Sequence, residues 1–241
     1  MKSKYCWQLQ DVILEGDQLP AEMLSPENSL LETIAVRAGK PIWLEKHLTR
    51  ICNAASDRWG VEFKPAELSP HFLEAIDYEE GRLRCLLFAD GSSCWIFQEE
   101  QLSCNPLTVI LLEVAQPLGC YKTGDRLRHA ELLSRAGSRG AAEALLVLQG
   151  ELLEGTYTNI VIHDQSGWWT PPLDGRILPG IMRDLLLQHL YDRSEKVQEG
   201  IVTVERLQQC DRLLLCNSLR GIIPVKELII PGDATVSFPT N

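Results

Sequence analysis

Apolar residues follow two different rhythms along the first half of this chain. Residues 33–36 and 41–44 are short apolar runs flanking Gly39-Lys40, and they read as two strands joined by a tight turn, since glycine supplies the positive φ that hairpin turns need. From Glu45 the period changes. Leu44, Leu48, Ile51, Ala55 and Trp59 recur at three- and four-residue steps, which predicts a one-sided helix ending near Gly60. Residues 83–88 and 94–97 predict a second strand pair around Asp90-Gly91, and residues 107–114 a nearly continuous apolar strand.

The run stops where Pro117, Gly119 and Gly124 appear, and we take this as a junction. The expected division is an N-terminal α/β domain over 1–114, a linker over 115–121 and a C-terminal α/β domain over 122–241. The second half predicts a helix at 127–136, strands at 144–148 and 159–163, a tight connection at Gly150-Glu151, and a helix from Ile181 to about 191. A strand at 213–216, a turn over 217–221 and the segment 222–225 follow. No GxGxxG or GxxxxGK[ST] occurs and the strands lack a long βαβ rhythm, so a doubly wound nucleotide-binding fold is not expected. The fold class is α/β (α+β).

Composition narrows the classes further. The 241 residues carry 33 acidic and 23 basic side chains, a net charge of −10, with acids interspersed among bases, which argues against a nucleic-acid partner. The eight cysteines show no CxxC pair and no zinc-site spacing, so reduced thiols and no metal are expected. No run reaches the roughly 18 to 20 apolar residues of a membrane span, and Gln8, Gln10 and Asp11 interrupt any leader-like apolar segment. A cytoplasmic protein with a small-molecule substrate and no membrane partner is the expectation.

Three clusters could carry chemistry. Tyr121-Lys122-Thr123-Gly124 puts a lysine at the junction, where by itself a solvated loop lysine is the ordinary reading. Glu154-Gly155-Thr156-Tyr157-Thr158-Asn159 puts a carboxylate at a strand corner, which alone is a turn capping its own backbone. Leu178-Pro179-Gly180-Ile181-Met182-Arg183 and Cys216-Asn217-Ser218-Leu219-Arg220-Gly221 both read as chain entering a helix, where free N–H groups favour an anion.

Together with Glu32-Thr33-Ile34-Ala35-Val36-Arg37 and His47-Leu48-Thr49-Arg50, these clusters resemble the fold-type IV family of pyridoxal-phosphate enzymes. That family holds branched-chain aminotransferases, D-amino acid aminotransferases and aminodeoxychorismate lyases. Five motifs occur in the family's order between about residues 29 and 226. The resemblance implies the two-domain fold of the D-amino acid aminotransferase-like enzymes, pyridoxal 5'-phosphate as cofactor, and a homodimer with the cofactor between the two domains. It implies that Lys122, in the C-terminal domain, is the catalytic lysine that links to the cofactor. Glu154 would pair with the pyridine nitrogen and keep it protonated. Arg50, the Ile181 and Met182 amides, Ser218 and the Leu219 amide would hold the phosphate. Asn159 would orient the strand carrying Glu154.

Two features lean towards a lyase acting on 4-amino-4-deoxychorismate to give 4-aminobenzoate and pyruvate, a step of folate biosynthesis. Gly180-Ile181-Met182-Arg183, with Met182 where many aminotransferases have threonine, looks like the lyase variant, and Cys216-Asn217-Ser218-Leu219 resembles its C-N-[SA]-L pattern. Against this, Ala89 stands near the place where compared lyases carry an arginine for a substrate carboxylate. Arg126 or Arg128 could supply that charge, and Thr33 and Tyr157 could line the substrate pocket. A class IV aminotransferase acting on a D- or branched-chain amino acid is the alternative. A scaffold that has lost activity is a third reading, opposed by Lys122, Glu154 and Arg50 occurring together. Cys120 is expected to be a packing residue.

Overall fold

The computed structural model describes residues 5–9, 12–16, 28–68, 79–232 and 235–239. The chain forms two compact units, Met1–Ser103 with Tyr121–Arg126, and Cys104–Cys120 with Leu127–Asn241.

The first unit is an antiparallel sheet with strands β1 (Tyr5–Leu9), β2 (Val12–Gly16), β3 (Ser29–Arg37), β4 (Lys40–Pro41), β5 (Glu80–Phe88) and β6 (Ser93–Glu99), in the order β2-β1-β6-β5-β3-β4. Helix α1 (Leu44–Trp59) covers one face. Strand residues alternate between faces, so Leu30, Ile34 and Val36 of β3 and Leu83, Cys85 and Leu87 of β5 pack with Leu48, Ile51 and Ala55 of α1. The opposite face carries a smaller cluster of Leu31, Leu86, Cys94 and Ile96. The expected helix ends where the sequence placed it, with Gly60 at φ 68 and its N–H bonded to the Ser56 carbonyl. The strand expected at 41–44 is shorter than its apolar run. Pairing stops at Pro41, because Trp43 adopts φ 54 and turns the chain into α1 at Leu44.

The second unit is built on β7 (Leu107–Glu113), β8 (Glu143–Leu148), β9 (Glu151–Gly155), β10 (Asn159–Asp164), β11 (Gly167–Thr170), β12 (Val197–Glu199), β13 (Val202–Thr203), β14 (Arg212–Asn217), β15 (Gly221–Ile229) and β16 (Val236–Ser237). Their order is β12-β11-β10-β14-β15-β7-β8-β9-β13, with β16 on β15. Strand β7 runs parallel to both β8 and β15. One face gathers Val109, Leu111, Leu145, Val147, Ile160, Ile162, Leu213 and Leu215 in a single core. The other face meets α2 (Leu127–Gly137) through Ile110, Leu112, Ala144 and Leu146, and α3 (Ile181–Asp192) through Val161 and Cys216. A short α4 (Val204–Gln209) is capped by the Thr203 hydroxyl, which accepts the Arg206 N–H.

The expected division at 115–121 is redrawn by pairing. Strand β7, assigned by its position to the first half, is bracketed by β15 and β8 in the second sheet. The segment Tyr121–Arg126 returns to the first unit, where Leu31 N–H donates to the Lys122 carbonyl at 2.7 Å and Gly124 N–H to the Ser29 carbonyl at 2.9 Å. Residues 218–220 are the hairpin turn between β14 and β15, within the turn expected over 217–221, and not a helix entry, since residues 214–217 and 221–224 pair antiparallel.

Candidate functional site

The first unit holds Arg50, Lys122 and Thr33. Arg50 lies on α1, where its Nε and Nη2 donate to the two carboxylate oxygens of Glu32, each at 2.7 Å, and Nδ1 of His47 meets Glu32 Oε2 at 2.6 Å. Glu32 sits on β3 between Leu30 and Ile34, on the face covered by α1, and is 1% exposed. A carboxylate so buried persists only when paired. Here the two-pronged guanidinium contact fixes the plane of Arg50. The signal of Glu32 in the sequence is an acid at the alternate position of an apolar strand.

Lys122 is half-buried, and the bridge between Leu30 and Thr123 puts it opposite Leu31 at the end of β3. Neighbouring Tyr121 donates its hydroxyl to Asp57 of α1 in a very short contact and packs against the α1 face of the sheet. Thr33 lies two residues from Leu31 on the face away from α1, directly across from Arg84 of β5. Arg82, one alternation further along β5, lies beside it, and the two guanidinium groups share Gln98 Oε1 at 2.8 and 3.4 Å, with Glu100 at 3.2 Å from Arg82. Neither arginine was singled out from the sequence, where alternating Arg82-Leu83-Arg84 reads only as a strand with one polar face. Ala89 is in the exposed turn beyond β5, so the strand's cations stand five and seven residues before it. Arg126 is half-buried at the end of the first unit. Arg128 donates to the carbonyls of Gln116 and Pro117, so it anchors that loop.

The second unit holds the other expected residues. Glu154, at the end of β9, is 5% exposed and accepts the Leu178 N–H at 3.1 Å. Asn159, at the start of β10, donates its Nδ2 to the Leu178 carbonyl at 2.9 Å. Both therefore converge on the residue that leads into α3. Gly180 is the N-cap of that helix and makes no side-chain cap, so the first-turn amides, including those of Ile181 and Met182, face outward from an uncapped helix end with the positive end of its dipole. Arg183, in the same motif, points inward. It is 3% exposed and bonds Thr170 Oγ1, the Pro171 carbonyl and Glu199, tying α3 to β11 and β12.

Gly180 is required by close approach. A Cβ there would sit 1.8 Å from Asn159 Oδ1. Gly180→Ala is expected to displace Asn159 and lower stability by about 1–3 kcal/mol, read as a drop in melting temperature; an unchanged melting temperature would show that Asn159 can move aside.

Ser218 is half-buried in the β14–β15 turn. The Leu219 N–H, expected to face phosphate, donates to Asn217 Oδ1 at 3.1 Å, as Arg220 N–H does at 2.8 Å, so this amide is already paired inside its turn. Asn217 Nδ2 in turn donates to the Tyr157 carbonyl at 3.2 Å. The Tyr157 side chain is 40% exposed and its ring lies 5.7 Å from that of His129.

The cysteines with described side chains are free thiols. Burial raises the Cys94 pKa to about 11 and those of Cys210 and Cys216 to about 12, which keeps these thiols protonated. Cys120 is half-buried. Among the described residues no group of three His, Cys, Asp or Glu side chains could hold a metal ion. Nor, among the described residues, is any helix long and apolar enough to cross a membrane.

Taken one unit at a time, the residues have chemistry that would suit pyridoxal phosphate: a half-buried lysine and an arginine held in plane in the first unit, a buried carboxylate and a helix N-terminus without a side-chain cap in the second. Residues 29–228 match the family described as amino-transferase class IV. D-alanine aminotransferase of Bacillus licheniformis is 23% identical over 224 residues, covering 83% of this chain and 79% of that protein. Aminodeoxychorismate lyase of Vibrio harveyi is 29% identical over 128 residues, 52% of this chain and 46% of the lyase, so that match spans under half of the relative. The crystal structure of an aminotransferase from Brucella abortus bound to the cofactor PLP superposes with a TM-score of 0.81 at 14% identity, over 98% of this chain and 94% of that one, which shows a shared fold.

Proposed function

The chain belongs to the amino-transferase class IV family, and on that premise we propose that it binds pyridoxal 5'-phosphate and acts as a lyase on 4-amino-4-deoxychorismate, releasing 4-aminobenzoate and pyruvate. Membership makes it a pyridoxal-phosphate-dependent enzyme of the lyase or aminotransferase kind. The observation that carries the cofactor reading is the convergence of Glu154 and Asn159 on Leu178, which holds a buried carboxylate and an uncapped helix N-terminus in one rigid arrangement. An anion near the pyridine nitrogen and donors for the phosphate are what that cofactor demands at its two ends.

Each residue then has a task. Arg50 in the first unit, kept in plane by Glu32, and the Ile181 and Met182 amides and Ser218 in the second are the groups that would take the phosphate. Glu154 keeps a proton on the pyridine nitrogen. When bound, the cofactor supplies an electron sink for the pair released at the amine-bearing carbon. Lys122 Nζ takes the proton from that carbon and delivers it as the enolpyruvyl group leaves as pyruvate. Asn159 fixes the helix entry. A homodimer is part of the proposal, read by light scattering of the purified protein.

Support for the lyase over the aminotransferase comes from the Gly180–Arg183 and Cys216–Leu219 motifs and from Thr33 and Arg84 facing each other across β3 and β5, on the face that Leu31 shares. A guanidinium beside a hydroxyl suits the carboxylates of a dianionic substrate. Arg84→Met is expected to raise KM for aminodeoxychorismate about 10- to 100-fold while changing kcat little; an unchanged KM would remove Arg84 from substrate binding. The deciding assay scores 4-aminobenzoate and pyruvate from aminodeoxychorismate beside glutamate from an amino acid and 2-oxoglutarate. Glutamate alone would overturn the lyase reading in favour of a D- or branched-chain aminotransferase, whose relatives the family also holds.

A further inference from the structure

Strand β8 presents Leu145 and Val147 to the main core of the second unit, and alternation puts Glu143 on the same face. An acid in that place is costly, and Glu143 is only 4% exposed. Every contact made by its carboxylate is with a donor. Oε1 accepts the N–H groups of Ala144 and Thr156, each at 2.9 Å, and the Thr156 hydroxyl in a short contact; Oε2 accepts the Tyr157 N–H at 3.3 Å. Burial pushes the Glu143 pKa up from its ordinary value against the opposing pull of these hydrogen bonds.

The donors beyond Ala144 all come from the turn joining β9 to β10. That turn closes tightly, with Gly155 N–H on the Thr158 carbonyl at 2.7 Å, and a Cβ on Gly155 would meet Thr158 Oγ1 at 2.1 Å and Glu143 Cδ at 3.4 Å. Its two shoulders are Glu154 and Asn159, the residues that grip Leu178. Its outer residue, Tyr157, receives Asn217 through its carbonyl. The buried carboxylate therefore anchors this turn together with the Thr156 N–H bond to the Ala144 carbonyl at 3.1 Å, and it is the one side chain of β8 that does so.

We propose that Glu143 is a positioning residue that fixes the β9–β10 turn and, through it, the placement of the Glu154 carboxylate and of Tyr157. The proposal rests on the cofactor reading given above. Removing an acceptor under three turn donors lets the turn lift, and Glu154 shifts with it although none of its own contacts is deleted.

The test uses the holoenzyme and four proteins: wild type, Glu143→Gln, Thr156→Val, and Leu145→Ala as a packing control two residues along the same face. Each is measured for melting temperature, pyridoxal-phosphate affinity and the visible absorption of the bound cofactor. Glu143→Gln keeps size while replacing one acceptor oxygen with a donor group, and Thr156→Val removes one donor at nearly constant volume, so the comparison survives if a harsher variant fails to fold. Both are expected to weaken cofactor binding about tenfold and to shift or diminish the visible band, whereas Leu145→Ala lowers the melting temperature and leaves the spectrum of the bound cofactor unchanged. Variants that lose thermal stability yet bind cofactor with wild-type affinity and spectrum would overturn the positioning role alone. A wild type that takes up no cofactor would overturn the functional reading, and this role with it.

Discussion

Replacing Lys122 by alanine is expected to abolish covalent fixation of pyridoxal phosphate by borohydride and to lower turnover on the order of 10^4-fold or more, with the fold intact. The large chemical effect follows from the lysine being the one group assigned both the bond to the cofactor and the proton transfer. Such double roles make single removals nearly as damaging as removal of the whole constellation. The backbone of this segment has pairing of its own. The contact recorded between Lys122 and β3 is made by its backbone carbonyl with Leu31 N–H, flanked by the Gly124 to Ser29 hydrogen bond, and alanine keeps both. The readouts are intact mass after borohydride and turnover beside a melting curve. A Lys122→Ala protein that still acquires the reduced cofactor adduct would transfer the role to another lysine.

Glu32→Ala is expected to cost roughly 3 to 5 kcal/mol of stability, because it removes the carboxylate that a buried histidine and a half-buried arginine share. His47 is fully buried and Arg50 is 15% exposed, and both hold the same carboxylate. The pH dependence gives an independent check. Burial by itself would raise the Glu32 pKa, but the Arg50 charge and the hydrogen bonds from His47 and Arg50 outweigh it and hold the carboxyl at about 2, below its ordinary 4.5. With the folded pKa depressed, the stabilisation is complete above the unfolded value and is lost as pH falls from about 4.5 towards 2. Urea unfolding across that window should show wild type losing stability with falling pH, and Glu32→Gln losing this component of the slope. Equal slopes would mean that Glu32 gains nothing from its partners. Cofactor affinity should fall in the same variants, since Arg50 loses the group that fixes its plane.

The helices α1, α2 and α3 were legible because their apolar stripes repeat at the helical period over eleven residues or more. The long strands were legible for the same local reason. The short ones, β11, β12, β13 and β16, span two to four residues and the helix α4 six, too few for any period to show. Among candidate site residues, Lys122, Glu154, Asn159 and Arg50 were proposed from motif order. Glu32, Arg84 and Glu143 were not, because a charged residue on an apolar strand looks alike in sequence whether it faces water, a partner charge or a turn.

The amino-acid sequence by itself determined the longer secondary elements, the mixed α and β class and the family, since each depends on local periodicity or on short motifs whose order along the chain is enough. Only tertiary structure decided that β7 belongs with β15, more than a hundred residues away, and that the Lys122 segment returns to β3. It also decided that Glu32 holds Arg50, that Arg84 faces Thr33, and that Glu143 anchors the turn beside Glu154. Those facts depend on register. A shift of one residue moves every side chain of a strand to the other face, and which register wins is set by the summed packing of distant strands, which no local window contains.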